Sequence, residues 1–272
     1  MNFISKILLA VAPIAVLSAC GGSGDTTQAI GTTDPQVRFA NVSPTAPALT
    51  LARNGVNRAE ATNVSNIFIS DYFTVDTGNA DYLVRGQLDT GNPGNADNTF
   101  SQTINFAASR GHKYTILAVA DLSSAAAGGL ARSNTLVLVD APTNPGLVNG
   151  QSYVRAVNGS FNAQNVDLYL IGLTESIDTR APDLPSIAFK QSNPVSGSDS
   201  IRRQAGDYQV VATTGGTKNI LYRGRFTIPD AGDVLFVTVP YIAGSPSAGS
   251  SGVAIVARVQ GDGGRGGLVP SL

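Results

Sequence analysis

The residues able to do chemistry are few, and their scarcity excludes most reaction types. The 272-residue chain holds one His, one Cys, one Met and no Trp. His112 is therefore the sole imidazole available to a Ser/His/Asp relay. It stands in Ser109-Arg110-Gly111-His112-Lys113, which reads as a solvated turn ahead of a strand rather than as the seat of a general base. Neither a Gly-x-Ser-x-Gly elbow nor a Ser-x-x-Lys motif occurs. Zinc and copper sites built on His and Cys need more ligands than the chain contains. Gly261-Asp262-Gly263-Gly264-Arg265-Gly266 fits Gly-x-Gly-x-x-Gly formally, but only Gly267 to Leu272 follow, too little for a helix that would present its N-terminus to a pyrophosphate. Two oxygen-rich stretches, 76–81 and 89–97, carry Asp76, Asp81, Asp89 and Asp97, the candidates for calcium. Hairpin turns use the same residue types, and turns are the preferred reading. Tyr72, Phe73, Tyr169 and Tyr241 are candidate platforms for stacking on sugar rings, yet they lie in strand-like runs where core packing is the default. The expectation is a chain without catalytic residues, cofactor or metal.

Charge points the same way. Lys+Arg 18 against Asp+Glu 19 gives a net −1, which excludes nucleic acid as a partner held by phosphate neutralisation. The first residues are basic through the amino terminus and Lys6, and Ile7 to Leu17 is an uncharged apolar run of 11 residues. This is a secretory signal pattern, too short to span a hydrocarbon core of ~30 Å as a helix. Its exit, Leu17-Ser18-Ala19-Cys20, resembles the lipobox of bacterial lipoproteins at every position. The resemblance implies cleavage between Ala19 and Cys20, acylation of the Cys20 thiol, and a membrane as partner through the N-terminal lipid. Gly21 stands where Asp would mark retention in the inner membrane, so the resemblance implies an outer-membrane location in the cell envelope. Loss of residues 1–19 removes only Lys6, leaving 17 basic against 19 acidic residues, a net −2 with no basic run in the sequence. Residues 20–36 are rich in Gly, Ser and Thr and read as a flexible tether with a reach of ~20–24 Å.

The body that follows is duplicated. Val37-Arg38-Phe39-Ala40-Asn41-Val42-Ser43 recurs as Val154-Arg155-Ala156-Val157-Asn158-Gly159-Ser160, and the same offset of 117 carries Leu49-Thr50-Leu51 onto Val166-Asp167-Leu168. Ala80-Asp81-Tyr82 resembles Gly206-Asp207-Tyr208, and the apolar run from Tyr114 parallels that from Val234. β-Branched and aromatic residues, period-2 patches and frequent Gly, Pro, Asn and Asp indicate short strands, and no stretch after the signal gives an amphipathic helix of three turns. The fold class expected is all-β: two tandem immunoglobulin-like antiparallel β-sandwich domains. Their boundaries are 37–140 and 152–260, joined by a linker at 141–151 and followed by a Gly-rich tail at 261–272.

The opening Val37-Arg38, Ser43-Pro44, Pro47, Leu49, Leu51 and Asn54-Gly55 resembles that of a family of bacterial secreted and surface domains of unknown function. Gly206-Asp207-Tyr208-Gln209-Val210 and Gly111-His112-Lys113-Tyr114-Thr115-Ile116 resemble two of its later strands. The family's frequent His is Asn41 in the first copy and Asn158 in the second, so no role of that His carries over. The resemblance concerns strand and turn signatures, which identify a fold and leave the activity open. The functional expectation is a non-enzymatic envelope lipoprotein, a binding or structural module contacting another envelope protein or a glycan. A glycan- or calcium-dependent adhesion module and a hydrolase of unrecognised type are the alternatives.

Overall fold

A computed structural model describes residues 33–44, 46–87, 99–120, 134–143, 149–240, 252–260 and 266–272. The expected signal with Ala19 and Cys20, most of the expected tether, Asp89, Asp97 and Tyr241 lie outside the described residues. Nine strands form the first copy: β1 (Gln36–Asn41), β2 (Thr50–Arg53), β3 (Val56–Asn57), β4 (Phe68–Ile69), β5 (Phe73–Thr74), β6 (Gly78–Gln87), β7 (Thr99–Ala108), β8 (His112–Ala120) and β9 (Asn134–Pro142). Ten form the second: β10 (Gln151–Asn158), β11 (Asn165–Ile171), β12 (Leu184–Ala188), β13 (Ser192–Asn193), β14 (Ile201–Gln204), β15 (Gly206–Thr214), β16 (Ile220–Ile228), β17 (Asp233–Pro240), β18 (Val253–Val259) and β19 (Gly267–Leu268). The one helical piece among the described residues is a 3-10 turn at Ala59–Ala61. No helix there is long and apolar enough to cross a membrane.

Each copy is a sandwich of two sheets with the same strand order. In the first, β4-β1-β8-β9, with β5 also on β1, faces β3-β2-β6-β7. In the second, β13-β10-β17-β18-β19, with β14 also on β10, faces β12-β11-β15-β16. Pairing is antiparallel with one exception per copy: β1 runs parallel to β8, and β10 parallel to β17. The chain leaves the sheet after its first strand, crosses to the opposite sheet and back twice, and re-enters beside that strand in the same direction. Sheet-to-sheet excursions thus do the work that a crossover helix does in other parallel pairs.

The two sandwiches pack as four layers. On β1, Val37 and Phe39 enter the first sandwich's own core, while Ala40 joins the apolar cluster of the second. Strand β8 alternates likewise: Tyr114, Ile116 and Ala118 point into the first core, and Leu117 and Val119 into the shared layer with Val157, Leu235, Val237 and Val256. All of these are at most 5% exposed. Burying one such side chain contributes roughly 1.5–3 kcal/mol, so the seam between the sandwiches is a core in its own right. Its rim is polar: Lys113 Nζ lies 3.4 Å from Asp233 and 2.8 Å from Gln260, Lys190 Nζ donates to Thr135 at 3.2 Å, and Arg258, 1% exposed, pairs with Asp71.

Both ends of the body differ from the sequence reading. The fold begins three residues before the tether was expected to end: Gly111 N donates to Thr33 O, and Val75 N to Pro35 O, both at 2.9 Å. At the other end the described part of the tail, 266–272, is docked. Strand β19 pairs with β18, Val269 is 2% exposed, and Tyr222 donates its hydroxyl to Val269 O. One buried valine and a set of backbone bonds outweigh the tail's glycine content. The formal Gly-x-Gly-x-x-Gly motif accordingly leads into a strand, its residues 261–265 lying outside the described part.

Candidate functional site

One polar groove stands at the end of the first sandwich where the chain enters it. Asp34 precedes β1, Arg53 ends β2, Arg58 follows β3, Thr74 ends β5, Val75, Asp76 and Thr77 lead to β6, and Arg110 sits in the turn before β8. The depression they line has a volume of about 380 Å³. Its geometry begins at the Asn54-Gly55 turn, where both residues have positive φ (49° and 81°), the conformation of a tight hairpin, so that Arg53 and Arg58 project from one short ribbon.

Arg53 is the fixed wall. Its Nη1 is 3.1 Å from Asp76 Oδ2, its Nη2 donates to Asp76 O at 3.0 Å, and its Nε to the Tyr82 hydroxyl at 3.3 Å. Tyr82 is fully buried and stacks on Phe106 at 4.5 Å. Burial raises its pKa, with the hydrogen bond from Arg53 opposing the shift. Arg58 and Arg110 are held loosely. Arg58 lies over the Phe73 ring at 4.9 Å, its nearest carboxylate, Glu60, is 3.7 Å away, and its Nε is buried without a hydrogen-bond partner. Arg110 meets Asp34 at 3.4 Å with both side chains more than half exposed. Those two separations exceed the 2.7–3.2 Å of a good N–H···O bond.

The sequence missed this site because Arg53 and Arg58 flank one hairpin while Arg110 comes from a distant turn before β8, and the three form no basic run. Only the topology brings them together. The readings it did offer fare unevenly. Asp76, a calcium candidate, is the counter-ion of Arg53, so its carboxylate already has a cation. Asp81 accepts from Asn105 Nδ2 at 2.6 Å across β6 and β7. No group of three or more His, Cys, Asp or Glu suited to a metal occurs among the described residues. Phe73 and Tyr169 are buried at 5% and 1% exposure, and Tyr72 lies against the seam under the Arg38 guanidinium at 4.4 Å, so none of the three is an open platform for a sugar. His112 is not a solvated turn residue. It opens β8, and its Nδ1 is 2.8 Å from Asp140 Oδ1, with no hydroxyl bonded to its other nitrogen among the described residues.

The repeated polar residues turn out to be structural. Asn41 donates through Nδ2 to Pro47 O at 2.9 Å and Val64 O at 3.0 Å. Asn158 donates to Ala163 O at 2.8 Å and Ile187 O at 3.1 Å. In each copy this fully buried amide ties down the chain where it passes between sheets. The position that holds a His in the resembling family is thus a clamp here. Arg155, the counterpart of Arg38, donates to the carbonyls of Pro194, Val195 and Ser198. Burial lowers its pKa, with Asp233 opposing the shift.

With this geometry in view, the known proteins add the following. Residues 35–169 match the model of a domain of unknown function, DUF4397, from just before β1 to within β11. No curated protein matches the chain. Among solved structures, a chain from a study of α-glucan recognition by family 41 carbohydrate-binding modules of streptococcal virulence factors covers 75% of this chain and 93% of its own length. Identity is 10% and the TM-score 0.21, too low for the likeness to bear on function. The class defined by the fold is thus an all-β tandem sandwich protein, similar over residues 35–169 to a domain of unknown function.

Proposed function

We propose that the protein is a lipid-anchored module of a bacterial cell envelope, non-enzymatic, which holds a rigid pair of β-sandwiches at a membrane and serves binding or structure rather than turnover. The observation that carries this reading is the placement of the only cysteine. Cys20 completes Leu17-Ser18-Ala19-Cys20 directly after an apolar run and directly before a Gly/Ser/Thr-rich segment that leads into β1. Two or more acyl chains give a stable membrane attachment, each buried CH₂ contributing ~0.8 kcal/mol. Gly21 rather than Asp after the cysteine favours the outer membrane. The body suits the role: Asn41, Asn158 and Arg155 are engaged in holding the chain between strands, and the lone His pairs with a carboxylate and with no nucleophile among the described residues.

Mass spectrometry of the protein isolated from envelopes is expected to find a mature chain beginning at Cys20 with a diacylglyceryl thioether. Cys20→Ala is expected to move it out of the membrane fraction. An unmodified thiol on the exported chain, or a Cys20→Ala protein that stays with the membrane as the parent does, would overturn the reading.

A further inference from the structure

We infer that the groove of Arg53, Arg58 and Arg110 is an anion site that seats a lipid headgroup phosphate, docking this end of the first sandwich on the membrane. The inference rests on the anchoring just proposed and specifies which face of the body meets the bilayer. Three observations lead to it. The first is charge. Three arginines against two aspartates line the depression, in a chain that otherwise carries more acidic than basic residues. The second is availability. Arg53 is consumed by Asp76 and Tyr82, but Arg58 and Arg110 stand 3.7 Å and 3.4 Å from their nearest carboxylates, and the buried Nε of Arg58 has no acceptor. A phosphate can offer both guanidiniums short charge-assisted bonds that Glu60 and Asp34 do not make. Thr74 and Thr77, both exposed, add hydroxyls on the same wall. The third is place. Asp34 is itself on the lip, and only residues 21–33 separate it from Cys20. A Gly/Ser-type linker of that length has an r.m.s. reach on the order of 20 Å, so an anchored Cys20 leaves the groove able to come down onto the headgroups.

Sedimentation with vesicles tests this, using mature full-length protein with Cys20→Ala so that no acyl chain contributes. Binding is expected to vesicles of equal parts phosphatidylglycerol and phosphatidylcholine, to weaken with salt, and to be near background on phosphatidylcholine alone. Each of Arg58→Gln and Arg110→Gln is expected to lower the partition coefficient roughly fivefold, the worth of one basic residue at an anionic surface. Arg225→Gln, on an exposed strand position of the second sandwich, is expected to leave it unchanged. Equal binding to both vesicle types, or an equal loss with Arg225→Gln, would overturn the assignment. So would inorganic phosphate raising the melting temperature through Arg58 while the vesicles capture nothing, since the site would then serve a free phosphate. Because the assay uses unacylated protein, its failure leaves the mass-spectrometric result on Cys20 standing, and the reverse is equally true.

Discussion

The two sandwiches share a strand order and differ in how fully they satisfy the buried amide on the first strand of each. At the amide clamp, Asn158 Oδ1 accepts from Thr238 Oγ1 at 2.7 Å and from Ser160 N at 3.0 Å. Asn41 occupies the same place, but its Oδ1 has no partner. The registers give the reason: Asn158 pairs with Thr238, whereas Asn41 pairs with Ala118. Two donors, the Thr238 hydroxyl and the Ser160 N–H, separate the complete clamp from the half-made one. A second difference lies on the outer sheets. The two-residue Asn54-Gly55 turn joins β2 to β3, while residues 172–183 between β11 and β12 fold over their sheet and bury Tyr169, Ile171, Ile177 and Val211 as a small outer core. Lys218 fastens that cover by donating to Tyr169 Oη at 3.1 Å and to the carbonyls of Ile177 and Arg180. The first copy keeps its connection short and leaves Arg53 and Arg58 on an open ribbon. The second has spent the same place on stability. A duplicated fold has thus divided its work, with the accessible polar site in one half and the better-satisfied amide clamp in the other.

The comparison is broken most severely at the seam. Leu117→Asp places an uncompensated carboxylate in the layer shared by both sandwiches, and a loss of roughly 3 kcal/mol or more is expected. Calorimetry of the parent is expected to give one transition and of the variant two, as the halves uncouple; two well-separated transitions in the parent would show that the seam does not couple them. Next come the clamps. Asn158→Ala, which strands a hydroxyl as well as two carbonyls, is expected to cost more than Asn41→Ala, by about 1 kcal/mol in denaturant melts. Equal losses would mean that the extra bonds of Asn158 contribute nothing. A smaller, reciprocal effect sharpens the same contrast. Thr238→Ala is expected to destabilise by about 1 kcal/mol, and Ala118→Thr to recover part of that in the first copy by donating to the orphaned Asn41 oxygen. Destabilisation by Ala118→Thr would show that the first core lacks room for the hydroxyl.

The smallest effect near neutrality is one of pH. Burial pushes the Tyr222 hydroxyl up from 10.0 to about 12. Between those values the unfolded tyrosine releases its proton while the folded one retains it. This contribution is therefore intact below pH 10 and lost as pH climbs toward 12. Phenolate absorbance of the folded protein is expected to show late-titrating tyrosines, Tyr82 and Tyr72 among them, and Tyr222→Phe is expected to remove one of these steps. An unchanged set of late steps in that variant would assign this one elsewhere.

Much of the architecture was legible because period-2 alternation and the Val-Arg-x-x-Asn-x-Ser repeat are direct imprints of strand geometry. Other features were hidden for physical reasons. Tyr114 to Val119 shows no alternation because both faces of β8 are buried, one in its own sandwich and one in the seam. The likeness of Asp81-Tyr82 to Asp207-Tyr208 pairs the wrong residues. In the sheets, Tyr82 lies across from Arg53 and Val210 across from Leu170, so Val210 is the counterpart of Tyr82. A slip of two keeps every side chain on its proper face, and hydrophobic pattern cannot detect it. The arginine groove was illegible since Arg110 joins the Arg53–Arg58 hairpin only once β8 has been placed in the sandwich.

The parallel pairing within each sandwich also bears on how the chain comes to fold. Strand β1 finds its central partner in β8, and β10 in β17, some 80 residues downstream in each case. Contacts so distant along the chain make folding slow, and neither inner sheet can close until its penultimate long strand is present. A growing or threading polypeptide cut off before Gly111 has every first-copy strand up to β7, yet its N-terminal strand is paired only with the two-residue strands β4 and β5 and lacks its long central partner.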